Sequence, residues 1–219
     1  MKITSSIRIA LTLSTALLLV ACGGNGNKNF NASSDEPITD LNDAEVAGLK
    51  FMREEEELAR DLYLNIFEAT GEHLQIFKNI SDKAESKHAE AIRLLLVRAD
   101  IEDPSTGQRD TYTDPVLQRL YDTLYGLTTE DDDVATLRVG ALVEETDIRD
   151  IKTFKDQVSE DHQEIINTYD NLLCGSRNHL RAFVKQIEDK TGSTYEKQVP
   201  ELAEEVDAIL GSDKERCGK

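Results

Sequence analysis

Glu85 and His88 stand three residues apart in "SDKAESKHAEAIRLLL" (81–96), so a helix through this stretch turns both toward one side. That side otherwise carries Phe77, Ile80, Ala84, Ala91, Ile92 and Leu95 at helical spacing. A carboxylate in an apolar stripe costs on the order of several kcal/mol unless something pairs with it. Three other stripes contain comparable insertions. Glu56 interrupts Leu49, Met52, Ala59, Tyr63 and Ile66, and Glu144 interrupts Val134, Leu137, Ala141, Ile148 and Ile151. The fourth reads Ile165, Tyr169, Leu172, Ser176, His179, Phe183, with a small polar group and an imidazole at its centre. Buried carboxylates converging at one level repel one another, and divalent cations would neutralise them while the imidazoles complete the coordination. Donors rich in oxygen with some imidazole suit iron or manganese better than structural zinc, which prefers thiolates.

The levels are consistent with convergence. Glu56 lies about 13 residues before the first connection and Glu85 and His88 about 11 to 14 after it, which at ~1.5 Å per residue matches them in an antiparallel pair. Glu144 lies about 14 residues before the last connection and Ser176 and His179 about 17 to 20 after it, a mismatch of roughly one turn. The third-helix ligand therefore stays open among Glu144, Glu145 and Asp147. His162 is about 25 Å from His179 along its helix and cannot share the site. His73 falls in the first connection and is read as exposed, and Tyr63 as a core residue. Glu54 and Glu57 are read as a solvated face, with Glu56 to Arg60 as the competing ion-pair reading of the seam glutamate.

Long helices must hold these side chains. Helix 1 is expected from about Asn42 to Ala69, opened by Thr39 and Asp40, and helix 2 runs unbroken from about Leu74 to Ala99. A turn-rich loop, "DIEDPSTGQRDTYTDP", leads to a short helix "VLQRLYDTLYG". Helix 3 follows Thr128 and Thr129, helped by Asp131 to Asp133 at its positive end, and reaches about Val158. Helix 4 starts near Ser159 and ends near Lys190. No strand pattern and no fixed-period repeat is evident. The fold class is all-α, a four-helix bundle with a crossover connection and a short extra helix over 41–190. A tail over 191–219 adds a linker, "TGSTYEKQVP", and one more short helix.

The chain has 219 residues, no tryptophan and four prolines, with 25 basic against 43 acidic residues and a formal charge of −18. Such a surface argues against nucleic acid as a partner. Residues 1–21 form a leader: Lys2 and Arg8 precede an uncharged apolar run from Ile9 to Val20 that is too short to span a bilayer. The leader ends in Leu19-Val20-Ala21-Cys22, which looks like the lipobox of bacterial lipoproteins, where the chain is cut before a cysteine that carries lipid. Residues 22–40, rich in Gly, Asn and Ser, have the composition of a flexible tether. Lipidation of Cys22 would place the domain in the cell envelope, on the outer membrane in a Gram-negative host. Cys174 and Cys217 either pair in that oxidising compartment or leave Cys174 free and buried.

Several stretches resemble known families. "EELARDLY" (56–63) is similar to helix 1 of rubrerythrins and "ESKHA" (85–89) to their helix 2 motif. "MREEEELARDLYL", "VGALVEETDIRDI" and "SRNHLRAF" more closely resemble a bacterial ferritin-like family, domain of unknown function 2202, over about Ala47 to Lys185. The resemblance implies a ferritin-like bundle with a di-metal site on Glu56, Glu85, His88, a helix 3 acid (Glu144, Glu145 or Asp147) and His179. One position departs from that pattern: Ser176 stands where helix 4 should present a carboxylate, so the second metal position is expected to be weak unless Asp147 substitutes.

Two functions are expected on these grounds. One is a di-iron or di-manganese oxidoreductase acting on oxygen or peroxide, or oxidising ferrous iron. The other is a non-catalytic metal-binding or envelope-stress bundle. The partners implied are metal ions, the membrane through the lipid on Cys22, and a second copy of the chain in a homodimer.

Overall fold

The computed structural model describes residues 36–218. The leader, Cys22 and most of the tether lie outside the described residues. The fold is all-α, with no strand among the described residues. Helix α1 spans Asp43–Ala69, α2 Gln75–Ile80, α3 Ser86–Arg98 and α4 Pro115–Gly126. Helix α5 spans Asp133–Lys155, α6 Gln163–Thr191 and α7 Ala203–Leu210. None of these is long and apolar enough to cross a membrane.

Capping fixes where α1 begins. The Asn42 side chain accepts from the backbone of Ala44 and Glu45, and the Glu45 carboxylate accepts the Asn42 N–H at 2.7 Å. This reciprocal box satisfies N–H groups that the first turn cannot pair internally, and it sets the start at Asn42 rather than at Thr39 and Asp40. Glu45 also binds His162 at 2.6 Å, so the same carboxylate ties α1 to the start of α6.

The expected unbroken second helix is interrupted. Between α2 and α3 the chain makes a π-helical turn over Ser81–Glu85, with the Ser81 hydroxyl donating to the Arg60 carbonyl of α1 at 2.9 Å. A π turn inserts a residue and rotates the helix beyond it. Its last residue, Glu85, faces inward and is buried, while Ala84, assigned to the apolar stripe, is only half-buried. The connection between α5 and α6 also differs from expectation. Helix α5 stops at Lys155 and α6 begins at Gln163, so residues 156–162 form a true loop. The longer loop shortens both helices by similar amounts, leaving Glu144 11 residues before Lys155 and Ser176 and His179 13 and 16 residues after Gln163, so an offset of roughly one turn remains.

Helix α1 packs against α2 and α3, α5 packs along α6, and the two pairs meet through contacts of α1 with α5 and of α3 with α6. Close approach of α5 and α6 depends on Gly140, where an added Cβ would collide with the Phe183 ring. Phe183 in turn contacts Phe77 and Tyr63, with centroids 5.1 and 5.5 Å away. These rings are fully buried and form an aromatic wall at the centre of the core.

The glutamate run is not a solvated face. Glu54 is buried and accepts from the backbone N–H groups of Thr113 and Asp114, which pins the start of α4 to α1. Glu57 is also buried, paired with Arg53 at 2.9 Å and Arg60 at 3.2 Å. Arg60 pairs with Glu57 and Asp61, not with Glu56. The segment after α6, read as a linker, is anchored: Tyr195 and Val199 are buried, and Val206 of α7 is fully so. Cys174 is not free, because it forms a disulfide with Cys217.

Gly140→Ala is expected to lower stability by roughly 1–3 kcal/mol through overpacking against Phe183. Gly126→Ala, where nothing lies within 4 Å of the added carbon, is expected to change little. Urea unfolding followed by far-UV circular dichroism checks the contrast.

Candidate metal centre

Five donors converge from five segments: Glu56 of α1, Glu85 of the π turn, His88 of α3, Glu144 of α5 and His179 of α6. His88 Nδ1 lies 3.2 Å from Glu56 Oε2 and 3.0 Å from Glu85 Oε2. His179 Nδ1 lies 3.0 Å from Glu85 Oε1 and 3.4 Å from Glu144 Oε2. Two triads result, Glu56–Glu85–His88 and Glu85–Glu144–His179, each with its donor atoms within 4.8 Å of one another and sharing Glu85. The two imidazoles stack at 5.9 Å. All three glutamates are at most 2% exposed, so water does not solvate their charge.

Several donor atoms have no hydrogen bond. Glu56 Oε1, Glu85 Oε1 and His179 Nδ1 are buried without a partner. The 3.0 Å approach of His179 Nδ1 to Glu85 Oε1 is an ion-pair distance whose angles do not make a hydrogen bond. Orphaned buried polar atoms are uncommon in folded chains, and each calls for an explanation. Here three of them point into one cluster of ligand-type side chains.

A ring of supporting groups surrounds the donors. The Tyr63 hydroxyl donates to Glu144 Oε1 at 2.6 Å, so this core tyrosine also orients a candidate ligand. Ser176 Oγ bonds Asp147 Oδ2 and lies 3.0 Å from the Leu172 carbonyl. Asp147 is buried beside the cluster but belongs to neither triad. Glu145 points elsewhere: it accepts from the Tyr195 hydroxyl at 2.9 Å and the Gln198 N–H at 2.9 Å, holding the tail. Among the three open third-helix candidates, Glu144 therefore occupies the cluster. His162 and His73 lie apart from it, His162 on Glu45 and His73 on Asp133 at 2.7 Å.

Two contributors were not singled out by sequence reasoning. Glu55 is buried behind the site with Oε2 unpartnered, against Asp150 and Asp147. Its only signal was membership of a four-glutamate run. Gly175 lets the His88 ring lie against α6, since an added Cβ would come within 2.5 Å of His88 Cε1. A glycine immediately before Ser176 on a central stripe was the available hint.

Burial raises the Glu56 carboxyl to about 8, with Glu85 adding to the rise and His88 opposing it. Burial also works to raise Glu85, but the flanking His179 and His88 outweigh it and hold Glu85 well below the usual carboxylate range. His179 is lowered by burial yet lifted to about 10 by Glu144 and Glu85. Burial, together with Glu56 and Glu144, keeps Asp147 well above its ordinary value. Without metal, the cluster thus stores protons on Glu56, Asp147 and the imidazoles and leaves Glu85 ionised between two rings.

An all-α chain that buries two carboxylate–imidazole triads on a shared glutamate is the class of protein defined by this fold and site. The chain belongs to the family described as Uncharacterized protein domain (DUF2202), whose pattern matches residues 45–213. The uncharacterized protein MJ0754 of Methanocaldococcus jannaschii is 37% identical over 184 residues, covering 84% of this chain and 95% of that one. The crystal structure of the hypothetical protein MJ0754 from Methanococcus jannaschii matches with a TM-score of 0.73 at 36% identity, covering 82% of this chain and 98% of that one.

The metal-free protein is expected to lose stability as pH rises. Folded Glu56 holds its proton up to about 8 whereas the unfolded group releases it near 4.5, so the folded state binds more protons between those values. His179 acts in the same direction, its contribution being complete below its ordinary 6.5 and lost as pH climbs toward 10. Glu85 acts oppositely, but only as pH falls through the acid range. Melting temperatures across pH 4.5 to 8 should fall for the chelator-treated protein, and Glu56→Gln should flatten part of that slope.

Proposed function

We propose that the protein is a ferritin-like four-helix bundle, with α4 in the crossover, and that it holds a di-iron or di-manganese centre. The observation that carries this reading is the convergence of unpartnered Glu56 Oε1, Glu85 Oε1 and His179 Nδ1 inside two donor triads. The donors fit such a centre: three carboxylates and two imidazoles are hard-to-borderline ligands suited to iron or manganese. Glu56 and His88 would serve one position, Glu144 and His179 the other, with Glu85 between them. At the second position Glu144 and the shared Glu85 would supply carboxylates, where Ser176 supplies none.

When bound, the metals would supply a redox centre for reduction of oxygen or peroxide, or for ferrous oxidation. The chain's own residues govern access and orientation. Tyr63 fixes Glu144 from the inside, and Tyr63, Phe77 and Phe183 exclude water on that side. On the other side, the edges of His88 and His179 border an open cavity of about 610 Å³, the route by which a small oxidant would arrive. Lipidation of Cys22 would keep this chemistry in the cell envelope, as the lipobox and tether support.

Elemental analysis of protein purified without added chelator should find iron or manganese approaching two per chain. Readdition of either metal should raise the melting temperature of the stripped protein with increasing free metal. Glu85→Gln should reduce binding at both positions, whereas His88→Ala should cost one metal and leave the other. Unchanged melting with every divalent metal tested would remove the proposal. Cys22→Ser is expected to move the protein from the membrane to the soluble fraction of fractionated cells, checked by immunoblot.

A further inference from the structure

The Cys174–Cys217 disulfide sits where a structural tie is least needed. The tail it fastens is already held by other contacts. Glu215 pairs with Arg177 at 2.5 Å and with Arg181 at 3.0 Å. Its N–H donates to Asn178 Oδ1 at 2.9 Å, and its carbonyl accepts from Asn178 Nδ2 at 3.1 Å. The Gly218 N–H reaches Asn171 at 3.1 Å. A cross-link that duplicates so many contacts contributes less to position than one that spans a free segment.

Its location is chemically specific instead. Cys174 is buried on α6, immediately before the Gly175 against which His88 packs. Cys217 is exposed and lines the same cavity as His88, Gly175 and His179. Exposed disulfides are the ones that external thiols reach, and labile or catalytic disulfides are drawn from them. The one other cysteine in the chain is Cys22, so no four-cysteine iron site can relay electrons from within.

We propose that Cys174 and Cys217 are a dithiol–disulfide couple that supplies electrons to a hydroperoxide bound in the His88–His179 cavity. This rests on the metal-centre reading above. The two thiols form the S–S bond and release two protons and two electrons. The peroxide O–O bond breaks, and those protons and electrons convert it to water and an alcohol, or to two waters from hydrogen peroxide. An external dithiol then restores the pair. Its thiolate attacks the sulfur of Cys217, the exposed residue of the pair, Cys174 leaves as the thiolate and takes up a proton, and the second external thiol closes the external disulfide and frees Cys217.

The test begins on the metal-free full chain. Dithiothreitol should reduce the disulfide without denaturant and without loss of helical circular dichroism, read by alkylation and mass spectrometry. A disulfide that opens only on unfolding would overturn the proposal. The reduced protein is then loaded with manganese, its metal content is measured, and one equivalent of hydrogen peroxide is added. Free thiols should disappear at least about tenfold faster than in the metal-free protein, with one disulfide formed per peroxide consumed. Equal rates at full metal content would overturn the couple and leave the metal centre standing. Failure to load manganese or iron at all would remove the metal reading and this inference with it. The Cys174→Ser, Cys217→Ser double variant should bind metal normally, since the Glu215 contacts keep the tail in place, while its peroxide consumption falls to the background set by buffer and metal.

Discussion

The central constraint is electrostatic. Glu56, Glu85, Glu144 and Asp147 are buried at one level of the helices with only two imidazoles among them. Like charges so close in a poorly solvated interior repel strongly, so the folded chain must protonate some of them or gather cations. In the metal-free protein the carboxylates divide into two states. Glu85 stays ionised between His88 and His179, while burial keeps protons on Glu56 and Asp147. Much of the surrounding architecture makes that arrangement possible. The π turn delivers Glu85 to the interior, Gly175 makes room for the His88 ring, and Gly140 lets α5 approach closely enough for Glu144 to meet His179.

The same packing makes the site one-sided. Tyr63, Phe77 and Phe183 close it toward the core, and the Tyr63 hydroxyl spends its bond on Glu144. The imidazoles, 13–14% exposed in their side chains, form the opposite border. The two histidines and Cys217 of the tail line one open cavity on that side. The tail is therefore part of the site's surroundings, positioned by Glu145 at one end and by Glu215 at the other.

The helices were legible in the sequence because their apolar stripes are long and regular, and Glu85 with His88 was legible because three-residue spacing on a helix admits one geometry. The choice among Glu144, Glu145 and Asp147 was not. All three are buried, and Glu145 is taken by Tyr195 and Gln198, groups that no periodicity brings next to α5. The glutamate run misled for a related reason. Glu54 and Glu57 are buried by partners distant in sequence or one turn away, the backbone at Thr113 and Asp114 and the guanidinium of Arg53. The π turn left no mark, since 78–86 contains neither glycine nor proline.

Ser176 meets a buried acid of the neighbouring helix. Its hydroxyl has one proton and two acceptors within reach, Asp147 Oδ2 and the Leu172 carbonyl. Backbone carbonyls have no proton to return, whereas Asp147 keeps its own because burial, Glu56 and Glu144 all oppose ionisation. In the metal-free protein Ser176 can therefore donate to Leu172 while protonated Asp147 donates to Ser176, and both contacts are satisfied at once. A buried acid of α5 and a small hydroxyl of the adjacent α6 thus form one hydrogen-bonded pair beside the triads. Loss of the Asp147 proton would leave Ser176 with two acceptors and one hydrogen, so ionising Asp147 has to be accompanied by a nearby positive charge. That is the same requirement Glu56 and Glu85 impose, so the Ser176–Asp147 pair shares the electrostatic constraint of the donor cluster while standing outside both triads.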